Sequence, residues 1–231
     1  MKKTLFLLLA LNCTVSSFAR EPLQFTPFGS PILEASSMEL SKEEVLSQET
    51  QDLIDSMLQI ARGEREDFNR GIMVGLAAPQ LGILKRIILV DIGLDMSKKQ
   101  LGKLTAFINP KIIWRSSECN IEHEGCYSVP EGLIGMVPRP LHIKFTALDR
   151  EGNSVEQELS GLSARVFQHE TDHLEGIRFP ERVGENGVLH WVFDHDIVEY
   201  RKNRENWSNT CNWSDWLKIK EVHTLKSQIR P

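Results

Sequence analysis

The chain has 231 residues and a formal net charge of −5, with 41% hydrophobic and 26% charged residues. These values are ordinary for a globular protein that is large enough to bury one hydrophobic core. The negative charge argues against nucleic acid as the main partner, because phosphate binding requires a basic surface. No segment predicts an integral membrane span in the mature chain.

The first 19 residues have the layout of a secretory signal. Lys2 and Lys3 form a short basic start, residues 4–15 are mostly apolar, and residues 17–19 (Ser-Phe-Ala) supply small side chains where a signal peptidase cleaves. We therefore predict a signal peptide over residues 1–19 and export to the periplasm or the extracellular space. The alternative is a short helix that is retained in a cytoplasmic protein.

The next predicted element is an amphipathic helix. Ser41 and Glu44 form a capping box, in which each side chain satisfies a backbone donor at the helix start. Apolar residues follow at helical spacing, so one helix is predicted from Ser41 to about Arg62. A polar, charged stretch follows it.

Several strands are predicted after this helix. The apolar runs 87–92 and 107–114 are rich in β-forming residues, and Pro110 indicates that the second run is bent or lies at a sheet edge. Residues 141–147 alternate between apolar and polar side chains, and a turn separates them from a returning run at 155–159. This pattern predicts a β-hairpin.

A second helix is predicted before Gly176, and the composition changes after Arg182. The segment that follows holds all but one of the five tryptophans. Its amphipathic run at 188–200 predicts an appended helix, with weaker order later. The predicted fold class is α+β, with mostly antiparallel sheets packed around a central helix, an N-terminal helix and a C-terminal extension.

The second helix carries the motif His169-Glu170-Thr171-Asp172-His173. Two imidazoles four residues apart share one helical face and can bind one metal ion, and Glu170 lies beside a ligand where it can reach a water on that ion. The alternative is a pair of surface or capping histidines. A catalytic metal needs a third protein ligand and an open position. Glu175 lies too close along the chain to provide that ligand.

Two upstream segments provide further candidates. Residues 124–128 (Glu-Gly-Cys-Tyr-Ser) place the thiol of Cys126 next to a glycine, where backbone can approach a ligand closely. Three interpretations of Cys126 are open at this point: a metal ligand, a catalytic nucleophile or a buried small side chain. Residues 71–80 are rich in small side chains and end on Gln80, a neutral hydrogen-bond donor. The alternative is a glycine-containing loop before the strand at Ile87.

These segments resemble the signature motifs of the peptide deformylase family. The three motifs are residues 75–80 (Gly-Leu-Ala-Ala-Pro-Gln), residues 124–128 and residues 168–174 (Gln-His-Glu-Thr-Asp-His-Leu), and they occur in the family order. Shorter matches connect them at Ile108-Asn109-Pro110, Val137-Pro138-Arg139, Ala147-Leu148-Asp149 and Leu162-Ser163-Ala164-Arg165. The resemblance covers about residues 25–182. It implies a deformylase-like catalytic domain at 20–183 and a C-terminal extension at 184–231.

The resemblance implies one divalent metal ion, usually Fe²⁺ and replaceable by Zn²⁺, Ni²⁺ or Co²⁺. The implied metal ligands are Cys126, His169 and His173, with water in the fourth position. Glu170 is the implied acid and base: it would deprotonate that water and protonate the leaving amine. The side-chain amide of Gln80 and the backbone N–H of Tyr127 are the implied donors to the formyl oxygen.

The implied function is hydrolysis of the N-formyl group from the formyl-methionine of peptides or nascent chains, a step of protein biosynthesis that releases formate. The peptide should lie as an added strand between the segments at Gly75 and Gly125, with its methionine in an apolar pocket of Val74, Leu162 and Val166. We expect a monomer. The competing hypotheses are a zincin-like peptidase and a non-catalytic protein that binds formyl peptides.

The sequence departs from the family pattern at several positions. Tyr127 stands where most members have Leu, Ile134 stands where many relatives have Arg, and the chain beyond Arg182 matches no pattern. Export would also change the chemistry, because an oxidising compartment favours Zn²⁺ over an Fe²⁺–thiolate site. Free formyl-methionyl peptides would then be the expected substrates, and Cys119 could pair with Cys211.

Overall fold

The computed structural model describes residues 23–68, 71–94 and 102–229, so the predicted signal peptide at 1–19 lies outside the described residues. The helices and strands follow one another as α1 (Lys42–Leu46), α2 (Gln48–Ala61), β1 (Gly75–Ala77), β2 (Ile87–Asp91), β3 (Leu104–Arg115), β4 (Cys119–Gly125), β5 (Leu133–Pro140), β6 (His142–Leu148), β7 (Ser154–Ser160), α3 (Gly161–Leu174), α4 (Phe179–Val183), β8 (Leu189–Trp191), α5 (Ile197–Asn203), β9 (Thr210–Cys211) and α6 (Trp213–Ile229). No helix in these ranges is long and apolar enough to cross a bilayer.

The strands form two antiparallel sheets. The first sheet has the order β1-β2-β3-β6-β7 and the second has the order β4-β5-β8-β9. The helix α3 packs against β1 and β2 of the first sheet and also against β5 of the second. This arrangement confirms the predicted α+β class with a central helix between mostly antiparallel sheets.

Helices cover both faces of the first sheet at β2. Alternate side chains of a strand point to opposite faces. Ile87 and Leu89 therefore pack in the apolar cluster that contains the buried face of α2. Ile88 and Val90 pack in a second cluster with Phe167 of α3. Because both faces are buried, the run is continuously apolar, and the strand predicted at 87–92 is confirmed.

The predicted single helix from Ser41 to Arg62 is wrong in one respect, because it breaks at Ser47. The capping box of Ser41 and Glu44 is present and begins α1. Ser47 then has an extended backbone, and its hydroxyl donates to Glu44 O at 2.7 Å and accepts from Thr50 N at 3.3 Å. A serine side chain that bonds to nearby backbone groups competes with helix continuation, so α2 begins with its own cap.

The strand β3 is bent at Asn109 and lies inside the sheet rather than at its edge. Asn109 has a φ of 51°, and the pairing with β6 shifts register between Ile108 and Lys111. The Asn109 side chain holds the bend, since its amide oxygen accepts from Leu40 N at 2.9 Å and its amide nitrogen donates to Leu40 O at 2.8 Å. Asparagine tolerates this left-handed conformation better than most residues.

The predictions for the C-terminal extension are partly wrong. The predicted helix at 188–200 is wrong in its first half, because β8 at Leu189–Trp191 pairs with β5 and α5 begins only at Ile197. Further secondary structure follows this run, namely β9 and the 17-residue helix α6. Trp216 of α6 is fully buried, with its ring 5.8 Å from that of Phe28. Pairing the open edge of β5 satisfies backbone groups that a helix at β8 would leave unpaired.

The Cys119–Cys211 disulfide that export would permit does not form. Both residues are free cysteines, and Cys119 is exposed whereas Cys211 is buried. They lie on the two edge strands of the second sheet, β4 and β9, with β5 and β8 between them. Three strand spacings amount to about 14 Å, well beyond the Cα separation of less than about 7 Å that a disulfide requires.

Candidate active site

The helix α3 carries the central motif, as predicted, and ends close to the expected position. Its last helical residue is Leu174, and Gly176 follows with a φ of +70°. A Cβ at Gly176 would overlap the backbone of Glu34, so the turn after the helix requires glycine at that position. The helix is thereby fixed between the two sheets with His169 and His173 on one face.

The three predicted metal ligands lie together. The candidate ligand atoms of Cys126, His169 and His173 are all within 4.8 Å of one another, and Cys126 Sγ is 3.3 Å from His173 Nε2. Burial alone would raise the pKa of the Cys126 thiol, but the two imidazoles outweigh burial and hold that pKa well below its usual value. One thiolate and two imidazoles form a donor set that suits Zn²⁺ or Fe²⁺ and leaves a fourth position for another ligand.

Glu170 lies next to this cluster in a dry environment. Its side chain is buried, and among the described residues no group hydrogen-bonds to Oε2. Burial raises the pKa of Glu170 to about 7. The strand β1 passes so close that a Cβ on Gly75 would overlap the Glu170 carboxylate and come within 2.6 Å of Val166 Cγ1. Gly75 is therefore needed for close approach of the backbone to the carboxylate.

Gln80 and Tyr127 lie on either side of the thiol. The Gln80 side-chain oxygen accepts from Ala77 N at 2.7 Å, which fixes the amide. The Gln80 nitrogen then lies 3.5 Å from Cys126 Sγ and 3.4 Å from Ser128 Oγ. Tyr127 follows Cys126 directly, and its half-exposed ring lies 5.6 Å from the ring of Phe25. The larger side chain at this position thus packs on Phe25 at the cavity wall.

These groups open into one cavity of about 820 Å³. The cavity lies between β1, an edge strand of the first sheet, and β4, an edge strand of the second. All five residues predicted to bind substrate line it, and so does the departure at position 134: Val74, Gly75, Gly125, Ile134, Leu162 and Val166. The structure therefore brings every predicted site residue to one place.

A buried charge network behind the predicted metal ligands was not predicted. The carboxylate of Glu124 accepts hydrogen bonds from Arg139 at 2.8 Å, from Arg165 at 2.6 Å and from His169 Nδ1 at 2.8 Å. Burial would raise the pKa of Glu124, but the hydrogen bonds from Arg139 and His169 hold it well below its usual range. A carboxylate behind a histidine fixes the ring orientation and leaves Nε2 for the metal.

The network continues to the other side of α3. Arg139 also donates to Asp172 at 2.6 Å, and Asp172 accepts from Arg182 at 3.0 Å. Each of these charged residues lies in or beside a segment that the family resemblance covers. Their position in those segments was the signal from which a role in the site could have been predicted. By contrast, Val192, Asp194 and Ile197 of the C-terminal extension line the cavity without any sequence signal.

A buried glutamate beside one Cys and two His side chains that can hold a metal ion, on a helix between antiparallel sheets, defines a metal-dependent hydrolase. The family model described as "Polypeptide deformylase" matches residues 22–187. The chain therefore belongs to the polypeptide deformylase family, as the sequence motifs predicted.

Individual relatives agree with this assignment. A peptide deformylase of Thermomicrobium roseum is 41% identical over 143 residues, which cover 62% of this chain and 80% of that protein. The crystal structure of an Acinetobacter baumannii class I type b peptide deformylase bound to Met-Ala-Ser has 35% identity and a TM-score of 0.61, and it covers 69% of this chain and 97% of the other. The peptide deformylase of Thermotoga maritima has 32% identity and a TM-score of 0.59, with coverages of 70% and 97%.

Proposed function

We propose that this protein hydrolyses the N-formyl group from the N-terminal formyl-methionine of peptides and nascent chains and releases formate. One observation carries the proposal: the ligand atoms of Cys126, His169 and His173 converge within 4.8 Å, directly beside the buried carboxylate of Glu170. Membership of the deformylase family supports the substrate class.

The donor set fits a resident divalent cation. Fe²⁺ is our first expectation, with Zn²⁺, Ni²⁺ and Co²⁺ as alternatives, because each accepts a mixture of thiolate and imidazole ligands. The Oε2 of Glu170 is buried and has no hydrogen-bond partner among the described residues, so it is available as a proton acceptor next to His169 in the chain. When bound, the cation would act as a Lewis acid that lowers the pKa of water and polarises a carbonyl group.

The protein's own residues would move the proton and stabilise charge. Glu170 takes a proton from water at Oε2, and the water oxygen forms a bond to the formyl carbon. The Gln80 amide and the Tyr127 backbone N–H donate to the formyl oxygen as negative charge develops there. The carbon–nitrogen bond then breaks, and Glu170 gives its proton to the leaving amine. The products are formate and a free N-terminal methionine.

The cavity suits an extended peptide. The edge strands β1 and β4 both line it, and an edge strand presents free backbone groups to a ligand that adds as a further strand. Val74, Leu162 and Val166 would contact the methionine side chain. The relative bound to Met-Ala-Ser supports a peptide ligand that begins with methionine.

Formate release from formyl-Met-Ala-Ser by the metal-loaded protein tests the function. Glu170→Gln should abolish release while the bound metal, measured by elemental analysis, stays the same. Glu175→Gln is the matched control, because Glu175 is a half-exposed carboxylate beyond the end of the same helix that does not line the cavity. Absence of formate release from the metal-loaded wild type would reject the proposal.

Two alternatives have distinct outcomes. A zincin-like peptidase would keep its metal in Cys126→Ala, whereas our assignment requires that this variant lose it. A binding protein would bind formyl-Met peptides tightly and leave them intact. The buried carboxylate of Glu170, whose Oε2 has no hydrogen-bond partner among the described residues, argues for turnover, because binding alone does not require a costly buried acid.

We further propose that the protein is exported and acts on free formyl-methionyl peptides as a monomer, with a cytoplasmic location as the alternative. Export rests on the signal-like residues 1–19 alone. N-terminal sequencing of the protein from its native cell should find Arg20 first, and an intact Met1 would contradict export. Light scattering of the purified protein measures the oligomeric state.

A further inference from the structure

The N-terminal segment of residues 25–30 contacts the turn that carries Gln80. Gln80 lies in a single 3₁₀ turn at Ala78–Leu81, and all four residues of this turn are buried. A 3₁₀ turn of this length leaves carbonyl groups without partners inside the turn, so its orientation depends on contacts from other segments. The segment 25–30 supplies such contacts at Pro79 and Gln80.

Thr26 forms the two hydrogen bonds from this segment to the turn. Its backbone N–H donates to Gln80 O and its hydroxyl donates to Pro79 O, both at 2.8 Å. Thr26 and both acceptor residues are buried, so water does not compete for these bonds. Pro27 restricts the backbone of Thr26 to extended conformations, and a β-branched side chain has few rotamers. Both donors of Thr26 therefore point in a fixed direction.

On the cavity side of Thr26, Phe25 connects the segment to the second proposed donor. The Phe25 ring lies 5.6 Å from the ring of Tyr127 and 5.2 Å from the ring of Phe68. The backbone N–H of Tyr127 and the side-chain amide of Gln80 are the two groups proposed to donate to the formyl oxygen. One short segment thus contacts both residues that would stabilise the developing charge.

On the other side of Thr26, the helix α6 holds the segment. The Phe28 ring lies 5.8 Å from the ring of Trp216 and 4.7 Å from the ring of His223, and both partners belong to α6. Gly29 follows with a φ of +91°, and a Cβ there would come within 2.6 Å of the His223 carbonyl group. Because α6 lies beyond the residues that the family model matches, this support comes from the C-terminal extension.

We propose that Thr26 is a positioning residue that holds the side-chain amide of Gln80 at the formyl oxygen. The Gln80 amide is fixed at its tip by the hydrogen bond from Ala77 N at 2.7 Å, and Thr26 fixes the backbone from which it extends. A donor to developing charge must be aimed before the reaction, and a displacement of about 1 Å can cost about 100-fold in rate. The inference rests on the proposed hydrolysis and adds a residue on which its rate depends.

Thr26→Val tests this role, because valine removes the hydroxyl and keeps the shape of the side chain. The variant should fold, since Pro79 O keeps a hydrogen bond from Gly82 N at 3.1 Å. With formyl-Met-Ala-Ser and the metal-loaded full chain, kcat for formate release should fall about fivefold, a part of the roughly 100-fold that a whole donor contributes. KM should stay within about twofold, because the donor acts on charge that develops only in the transition state.

Two further variants serve as controls. Thr26→Ser keeps the hydroxyl, so its kcat should return to within about twofold of the wild-type value. Thr50→Val is the matched control, because Thr50 is another buried threonine with a hydrogen-bonded hydroxyl, and it lies in α2 and does not line the cavity. It should leave kcat unchanged. The bound metal, measured by elemental analysis, should be the same in all three variants.

Gln80→Ala separates positioning of the amide from a general effect on the fold. By itself it should lower kcat about 100-fold. If Thr26 acts through the Gln80 amide, adding Thr26→Val to Gln80→Ala should lower kcat no further. An independent structural effect would instead multiply the two losses.

Two results would overturn the inference: a kcat of Thr26→Val within about twofold of the wild type, or a loss from Thr26→Val that persists in the Gln80→Ala background. Either result leaves formate release by the wild type intact. Failure of the proposed function looks different, because then the metal-loaded wild type releases no formate.

Discussion

Replacing Glu124 by Gln tests whether the buried charge network supports both the fold and the metal site. The Glu124 oxygens accept two hydrogen bonds from Arg139, one from Arg165 and one from His169, at 2.6–2.8 Å. Glutamine keeps one acceptor oxygen and turns an NH₂ group toward the donors of Arg139 and Arg165. The two buried guanidinium groups then lose the carboxylate that neutralises them. Breaking such a buried network by removing one partner costs about 3–5 kcal/mol.

The assay is urea unfolding of the metal-free proteins followed by tryptophan fluorescence. With a slope of about 2 kcal/mol per molar urea, the midpoint of Glu124→Gln should fall by about 2 M. Glu122→Gln is the matched control on the same strand, because Glu122 is exposed, and its cost should stay within about 0.5 kcal/mol. The metal affinity of Glu124→Gln should also fall about 10–100-fold, because His169 loses the group that orients it.

The pH dependence provides a further check on the same variant. A carboxyl whose pKa is lowered in the folded state stabilises that state above its ordinary pKa of 4.5, and it loses this contribution only as the pH falls below that value. The destabilisation of Glu124→Gln should therefore persist at pH 6 to pH 8, where the Glu124 carboxylate is fully charged. Unfolding free energies of Glu124→Gln and Glu122→Gln that agree within about 0.5 kcal/mol would refute the reasoning.

Three further predictions concern the site and the extension. Burial raises the pKa of Glu170 from 4.5 to about 7. The metal-free protein should therefore lose up to about 3 kcal/mol of stability as the pH rises through this range. Urea titrations at several pH values should show this loss in the wild type and not in Glu170→Gln. Gly75→Ala should lower the rate of formate release about 100-fold, because the added Cβ displaces the Glu170 carboxylate. Gly71→Ala is the control and should keep the wild-type rate, because Gly71 has open space around it. Equal rates in the two variants would contradict this prediction. Trp216→Ala should cost about 3–5 kcal/mol in urea unfolding and the half-exposed Trp114→Ala far less, and similar costs would show that the extension is not part of the core.

Local sequence patterns were sufficient for the elements whose own residues determine them. The helix α3 and the hairpin of β6 and β7 lie where periodicity placed them, because burial of one face imposes a regular spacing on a helix or strand. The signature segments also predicted which residues meet in the site, and the structure brings these residues together at one cavity. Ser47 shows the limit of periodicity, since a single side-chain cap divided a continuous amphipathic pattern.

Only the tertiary structure decided the role of the C-terminal extension and of the buried charges. The run at 188–200 has helical periodicity, yet β8 forms because the open edge of β5 offers backbone partners that no local pattern encodes. Glu124 and Arg139 are ordinary charged residues in the sequence, and their importance arises because folding buries both of them. The sequence by itself determined the chemistry of the site, whereas packing between distant segments determined its support and the wall that carries Asp194.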